Sequence, residues 1–138
     1  MSTADQQVAQ MDAFSSFETR LRMDTPDAQW SAPAEKSLIE AASEPALTKT
    51  GVPENYQAFC SGHMCKITAD FATRGQADDW SDFYPVGMGG TVSSVRTMVT
   101  PGAHGDARLV IYATRPGFEK LLADPAETAS TNSGPPAR

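Results

Sequence analysis

Two cysteines, Cys60 and Cys65, stand on either side of Ser61-Gly62-His63-Met64, and they are the only two cysteines in the chain. After them, Cys65, Ile67, Ala69 and Phe71 alternate with Lys66, Thr68 and Asp70. That period of two marks a strand with one buried face. Before the turn, Tyr56, Ala58 and Cys60 continue the same face, so the segment predicts a β-hairpin with a cysteine on each side of its turn. Facing positions on adjacent strands can meet disulfide geometry. A Cys60–Cys65 bridge across so short a loop is worth about 2 kcal/mol in the chain-entropy description. It would also make residues 56–60 and 65–71 neighbours.

The rest of the chain is read outward from that hairpin. Val8, Met11, Phe14, Phe17 and Leu21 recur at three- and four-residue spacing, which predicts a helix from about Asp5 to Met23. Thr25-Pro26 reads as a further helix start, with Thr25 as cap and Pro26 in the first position. Ala34, Leu38, Ile39 and Ala42 predict a second helix ending near Ala42. The breakers around Pro45, Gly51 and Pro53 predict irregular chain. Ala77, Trp80, Phe83 and Tyr84 predict a short amphipathic helix with Asp78 and Asp79 near its positive end, stopped by Gly87-Met88-Gly89-Gly90. Val95, Thr97 and Val99 predict a third strand, and Leu109, Ile111 and Ala113 a fourth. Val110 and Tyr112 make the other face of that last strand apolar too, as expected of a central strand covered on both sides. Phe118 to Ala123 predicts a final helical turn.

Together these elements predict an α+β domain over residues 5–123. Two N-terminal helices precede a four-stranded, mainly antiparallel sheet built of two hairpins joined by a helix. Residues 124–138 hold no large apolar side chain and are expected to form a disordered tail. A chain of 138 residues can bury a sizeable core without a covalent staple. The net charge of -6, with 11 scattered basic residues, argues against a general nucleic-acid or anionic-membrane binder. No apolar run is long enough to span a bilayer. The first residues, Met1 to Gln7, carry neither a basic nor an apolar leader region and alone would point to the cytoplasm. The cysteine pair points to an oxidising compartment, and a periplasmic or otherwise exported protein is the expectation adopted.

Trp30 and Glu35 at a helix start, Cys60 and Cys65 with Ile67 in the hairpin, and Tyr112 with Arg115 and Gly117 after the last strand form a sparse pattern. In these residues the chain resembles small exported bacterial proteins of unassigned function that carry a Cys-x4-Cys hairpin. The resemblance spans about residues 14 to 120. It implies export, and it implies no activity.

Several constellations bear residue types capable of chemistry. A reactive Cys60/Cys65 thiol pair beside His63 is an alternative to a structural disulfide, although redox enzymes of that kind place Cys-x-x-Cys at a helix start. A zinc site from Cys60, His63 and Cys65 lacks a fourth ligand, because His104 lies in the other hairpin turn. The Gly87–Gly90 run follows a helix instead of opening one, so it reads as a connector and not a phosphate cradle. Asp78, Asp79 and Asp82 read as a solvated helix start. No Gly-x-Ser-x-Gly elbow occurs. The expectation is therefore no catalytic, cofactor or metal residue. The leading functional expectation is a non-catalytic interaction module, monomeric or homodimeric, that binds another protein through Arg96, Met98, Arg108, Val110 and Tyr112, residue types that binding surfaces favour. The N-terminal helix covering that face is the competing arrangement. A small enzyme or ligand-binding protein with a pocket of Trp80, Tyr84 and His104 is the alternative, and a thiol redox protein a further one.

Overall fold

The computed structural model describes residues 3–49 and 52–122, so the predicted tail 124–138 lies outside the described residues. The elements run α1 (Thr3–Met23), α2 (Ser31–Ala42), α3 (Pro45–Thr48), β1 (Glu54–Cys60), β2 (Met64–Phe71), α4 (Arg74–Met88), β3 (Ser94–Pro101) and β4 (Ala107–Thr114). Short 3-10 turns follow at Gly89–Thr91 and Glu119–Leu122. The strands form one sheet in the order β1-β2-β4-β3, and every neighbouring pair is antiparallel. The α+β class, the two hairpins and the helix between them are as the sequence predicts.

Three local readings change. No helix begins at Thr25-Pro26: residues 25–27 are irregular and 28–30 form a turn. The residue that organises this turn is Asp27, whose side chain accepts from Gln29 N and whose carbonyl accepts from Ser31 N. A four-residue helix, Pro45–Thr48, interrupts the predicted irregular stretch. Helix α4 starts at Arg74 and runs to Met88, longer at both ends than predicted. Thr73 caps it, with Oγ1 accepting from Gln76 N at 3.1 Å. Asp78 and Asp79 consequently sit in the second turn and not at the positive end.

The sheet has two different covers. On one face, Cys60, Cys65, Ile67, Ala69, Leu109, Ile111 and Ala113 meet Ala34, Leu38 and Ala41 of α2 and Ala77, Trp80 and Tyr84 of α4 in one apolar cluster. Trp80 and Tyr84 are fully buried and stack at 4.3 Å between centroids. Tyr84 and Tyr56 both donate to the carbonyl of Leu38, which ties α4 and β1 to the end of α2. Burial pushes the phenols of Tyr84 and Tyr56 above their ordinary value, and both stay neutral.

On the opposite face, α1 lays Ala13, Phe14, Phe17 and Leu21 over Met64, Tyr112 and Leu122. Phe14, Phe17 and Tyr112 meet edge-on at 5.4 to 5.7 Å. This cover is held by one carboxylate as well as by rings. Glu18 accepts from Lys66 Nζ at 2.6 Å, from the hydroxyl of Tyr112, and from Arg22 Nε at 2.8 Å. Burial raises the Glu18 pKa, but those three donors outweigh it and bring it down to about 2. Burial, and then the same contact with Glu18, raises the Tyr112 phenol.

Candidate functional site

The first hairpin turn is where the chain concentrates its polar contacts. The linker between α1 and α2 runs beside it so closely that a Cβ on Gly62 would stand 2.3 Å from the carbonyl oxygen of Thr25. Only glycine fits there. Asp24 reaches across from the linker: Oδ2 accepts from Ser61 Oγ and from His63 N, each at 2.7 Å, and Oδ1 lies 2.8 Å from His63 Nδ1. Ser31 Oγ donates to the carbonyl of Ser61 at 2.6 Å, and Glu35 Oε2 accepts from Cys60 N at 2.8 Å. Arg115 closes the set. Its Nη1 donates to Asp27 Oδ2 and to the carbonyl of Gly62, its backbone N donates to the carbonyl of His63, and its guanidinium lies 5.4 Å from the Trp30 ring centre.

Burial pushes the Asp24 carboxyl up, yet the bonds from Ser61 and His63 win and hold it below the usual range. Asp27 is also lowered, first by the Gln29 backbone N–H and then by Arg115.

Beneath this turn the sulfurs of Cys60 and Cys65 are bonded at 2.06 Å, and both residues are buried. Cys60 and Cys65 face each other directly in the β1–β2 register, with Cα atoms 4.0 Å apart. The predicted disulfide is therefore present. It lies under α2 in the larger apolar cluster, so neither sulfur is presented to a thiol substrate or a metal.

Next to the turn, an open groove of about 470 Å³ separates the end of α1 from the 3-10 turn after β4. Met23, Met64, Phe118 and Leu121 form its apolar walls, and Arg20 and the His63–Asp24 pair border it. Met23 is 81% exposed and Phe118 40%. The His63 ring lies 4.4 Å from that of Phe118. Arg20 Nη1 donates to the carbonyl of Leu121, which fixes one wall to the other.

No family model matches this chain, and no curated protein or solved structure does.

Serine, histidine and aspartate meet here, but not in a hydrolytic order. In a nucleophilic triad the serine hydroxyl faces the histidine and the aspartate stands behind the ring. Ser61 instead donates its hydroxyl hydrogen bond to Asp24, and no hydroxyl or thiol is bonded to His63 among the described residues. No cluster of three or more metal-ligating side chains occurs among the described residues either.

The predicted partner face is real as a geometric face but is mostly covered. Tyr112 is buried beneath α1 and bonded to Glu18. Arg96 lies 5.4 Å over Phe17 and donates to the carbonyl of Leu122. Met98 and Val110 pack against the same cluster, and only Arg108 is exposed, 3.7 Å from Asp70. The five residues therefore do not form one open surface, because the apolar stripe of α1 needs them for its own burial. The predicted pocket of Trp80, Tyr84 and His104 does not assemble. The two aromatics lie inside the core, and His104 is in the exposed β3–β4 turn. Asp78, Asp79 and Asp82 are exposed on α4, with Asp78 opposite Arg74.

Asp24, Ser61 and Phe118 carried no signal in the sequence, since Asp24 and Ser61 are 37 positions apart. Glu35, Trp30 and Arg115 did stand in the sparse pattern described above, and all three converge on the cysteine turn.

Proposed function

We propose that this chain is an exported, non-catalytic module that binds another protein, and that the groove between Met23 and Phe118 takes an apolar side chain of that partner. The observation that carries the reading is the groove itself. Exposed Met23 and Phe118 give it a flexible wall and a flat aromatic wall, residue types that suit protein contacts. Rigidity supports the same reading. The turn that bears His63 is held by Asp24, Ser31, Glu35 and Arg115, so a partner would meet a surface already ordered. Export is supported by the buried disulfide, which forms and persists in oxidising compartments. The resemblance to small exported bacterial proteins agrees with it. Among the described residues no helix is long and apolar enough to cross a membrane.

A photo-crosslinking residue at position 23, in cells that produce the protein, is expected to trap one defined protein, and the Phe118→Asp substitution to abolish that product. Absence of any product, or a product indifferent to Phe118→Asp, rules the groove out. Export is checked separately. Protein from those cells is expected to take up no alkylating agent at Cys60 and Cys65 until it is denatured and reduced.

One observation favours a second reading, a small-ligand site. His63 presents a ring backed by a carboxylate at the groove's edge. A ligand held there would lose affinity in His63→Gln, whereas a protein held mainly by Met23 and Phe118 would not.

A further inference from the structure

The two edges of the sheet are not equivalent, and the difference identifies an interface. Strand β1 is a poor template: its register with β2 shifts between Glu54 and Gln57, and Asn55 has a positive φ of 53°. Such irregularity blunts an edge against further pairing. Strand β3 pairs with β4 in unbroken register from Ser94–Thr114 to Pro101–Ala107. Its residues Ser94 to Thr100 are all partly exposed, and no other strand among the described residues lies beside it.

Which backbone groups of β3 point outward follows from the ladder. Arg115 N donates to the carbonyl of His63, so the odd-numbered residues of β4 bond towards β2. Its even-numbered residues then bond towards β3; the carbonyl of Thr114 accepts from Ser93 N, and that of Asp106 from Gly102 N. Their partners on β3 are the even residues Ser94, Arg96, Met98 and Thr100. The N–H and C=O groups of Val95, Thr97 and Val99 are left facing away from the sheet.

We infer that the β3 edge pairs antiparallel with β3 of a second copy of this chain, about a two-fold axis through Thr97. A continuous sheet requires residues opposite each other to share a face, so the axis passes through a residue and not between two. Centred on Thr97, the copies exchange backbone bonds at Thr97 and at Val95 with Val99 on either side. Val95 and Val99 are β-branched and Thr faces Thr, pairings that favour strand association. Arg96 then stands opposite Met98. Moving the axis to Arg96 sets two guanidinium groups against each other. Moving it to Met98 sets Val95 against Pro101, which has no N–H to give. Of these three registers, charge and donor count favour the one centred on Thr97, and the strand complements itself in it. This interface shares no lining residue with the groove, so it stands or falls apart from the proposed partner site.

The decisive measurement is amide exchange on the unaltered chain at rising concentration, alongside sedimentation. Between dilute protein and ~1 mM, a range that captures weak self-association, the mass is expected to double. Exchange at Val95, Thr97 and Val99 is expected to slow at least ~10-fold, while Met98 and Thr100 stay protected throughout. Thr97→Pro removes an outward N–H without touching the β4 ladder, a place where an edge strand tolerates proline. It is expected to remain monomeric with an unchanged circular dichroism spectrum. If that variant does not fold, the exchange data decide alone. A chain that stays monomeric at ~1 mM overturns the inference. So does protection of Val95, Thr97 and Val99 that is independent of concentration, or a dimer in which those amides still exchange freely.

Discussion

The two faces of the sheet are covered by different physical means. Under α2 and α4 the contact is dry: a Trp80–Tyr84 stack, buried aliphatic side chains of β2 and β4, and the buried disulfide. Under α1 a smaller ring cluster shares the work with a charged hub, Glu18, bonded to Lys66, Tyr112 and Arg22. The first face depends on volume, because cavities left in a packed core are not refilled. The second depends on volume and on protonation. The consequence is positional: the candidate groove and the His63 turn lie where the α1 cover ends.

The largest expected effect is on the dry face. Trp80→Ala should cost about 4 kcal/mol, read as a lower midpoint in denaturant with unfolding still cooperative. If it costs less than about 1 kcal/mol, the α4 layer is not the principal core. Next comes the charged hub. The folded pKa of Glu18 is about 2 against an ordinary 4.5, so its contribution is complete above about pH 4.5 and is lost as the pH falls towards 2. Asp24 is shifted the same way and adds to the loss at low pH. Glu18→Gln should destabilise by about 2–3 kcal/mol at neutral pH, after allowing for partial exposure, and should flatten the acid limb of the stability curve. An unchanged acid limb would erase the contrast between the two faces.

Removal of the disulfide by Cys60→Ala with Cys65→Ala should cost about 2 kcal/mol. The folded structure should survive, because Asp24, Ser31 and Glu35 still hold the turn. The smallest effect sharpens the picture of the dry face. Trp80 Nε1 is buried with no hydrogen-bond partner among the described residues. Trp80→Phe loses apolar area but also removes that orphaned donor, so its cost should stay below about 1 kcal/mol. A loss near that of Trp80→Ala would mean the indole N–H has a partner in solution, and exchange of that proton would reveal it.

Much of this architecture is legible in the sequence. Alternation in 65–71, 95–99 and 109–113 gave the strands and the face each side chain takes, because a period of two is a local property. The Cys60–Cys65 bridge followed from the same alternation. Helix boundaries were less legible: α4 begins three residues before Ala77 because Thr73 caps it, and its first turn carries no apolar residue to mark it. The α1 stripe announced a buried face without saying which surface it would bury.

That last gap separates the two sources of knowledge. The sequence by itself determined the class and the two hairpins, and it pointed to the disulfide and to a grouping of Arg96, Met98, Arg108, Val110 and Tyr112 that depends on the register of the last two strands. Only the tertiary structure decided that α1 covers most of that group, that Asp24 holds the turn of Ser61 and His63, and that a groove opens beside Phe118. Side-chain periodicity reports which residues face the same way; it carries no record of what arrives to cover them. A carboxylate in the linker finds its donors 37 to 39 residues further along only because packing brings linker and hairpin together.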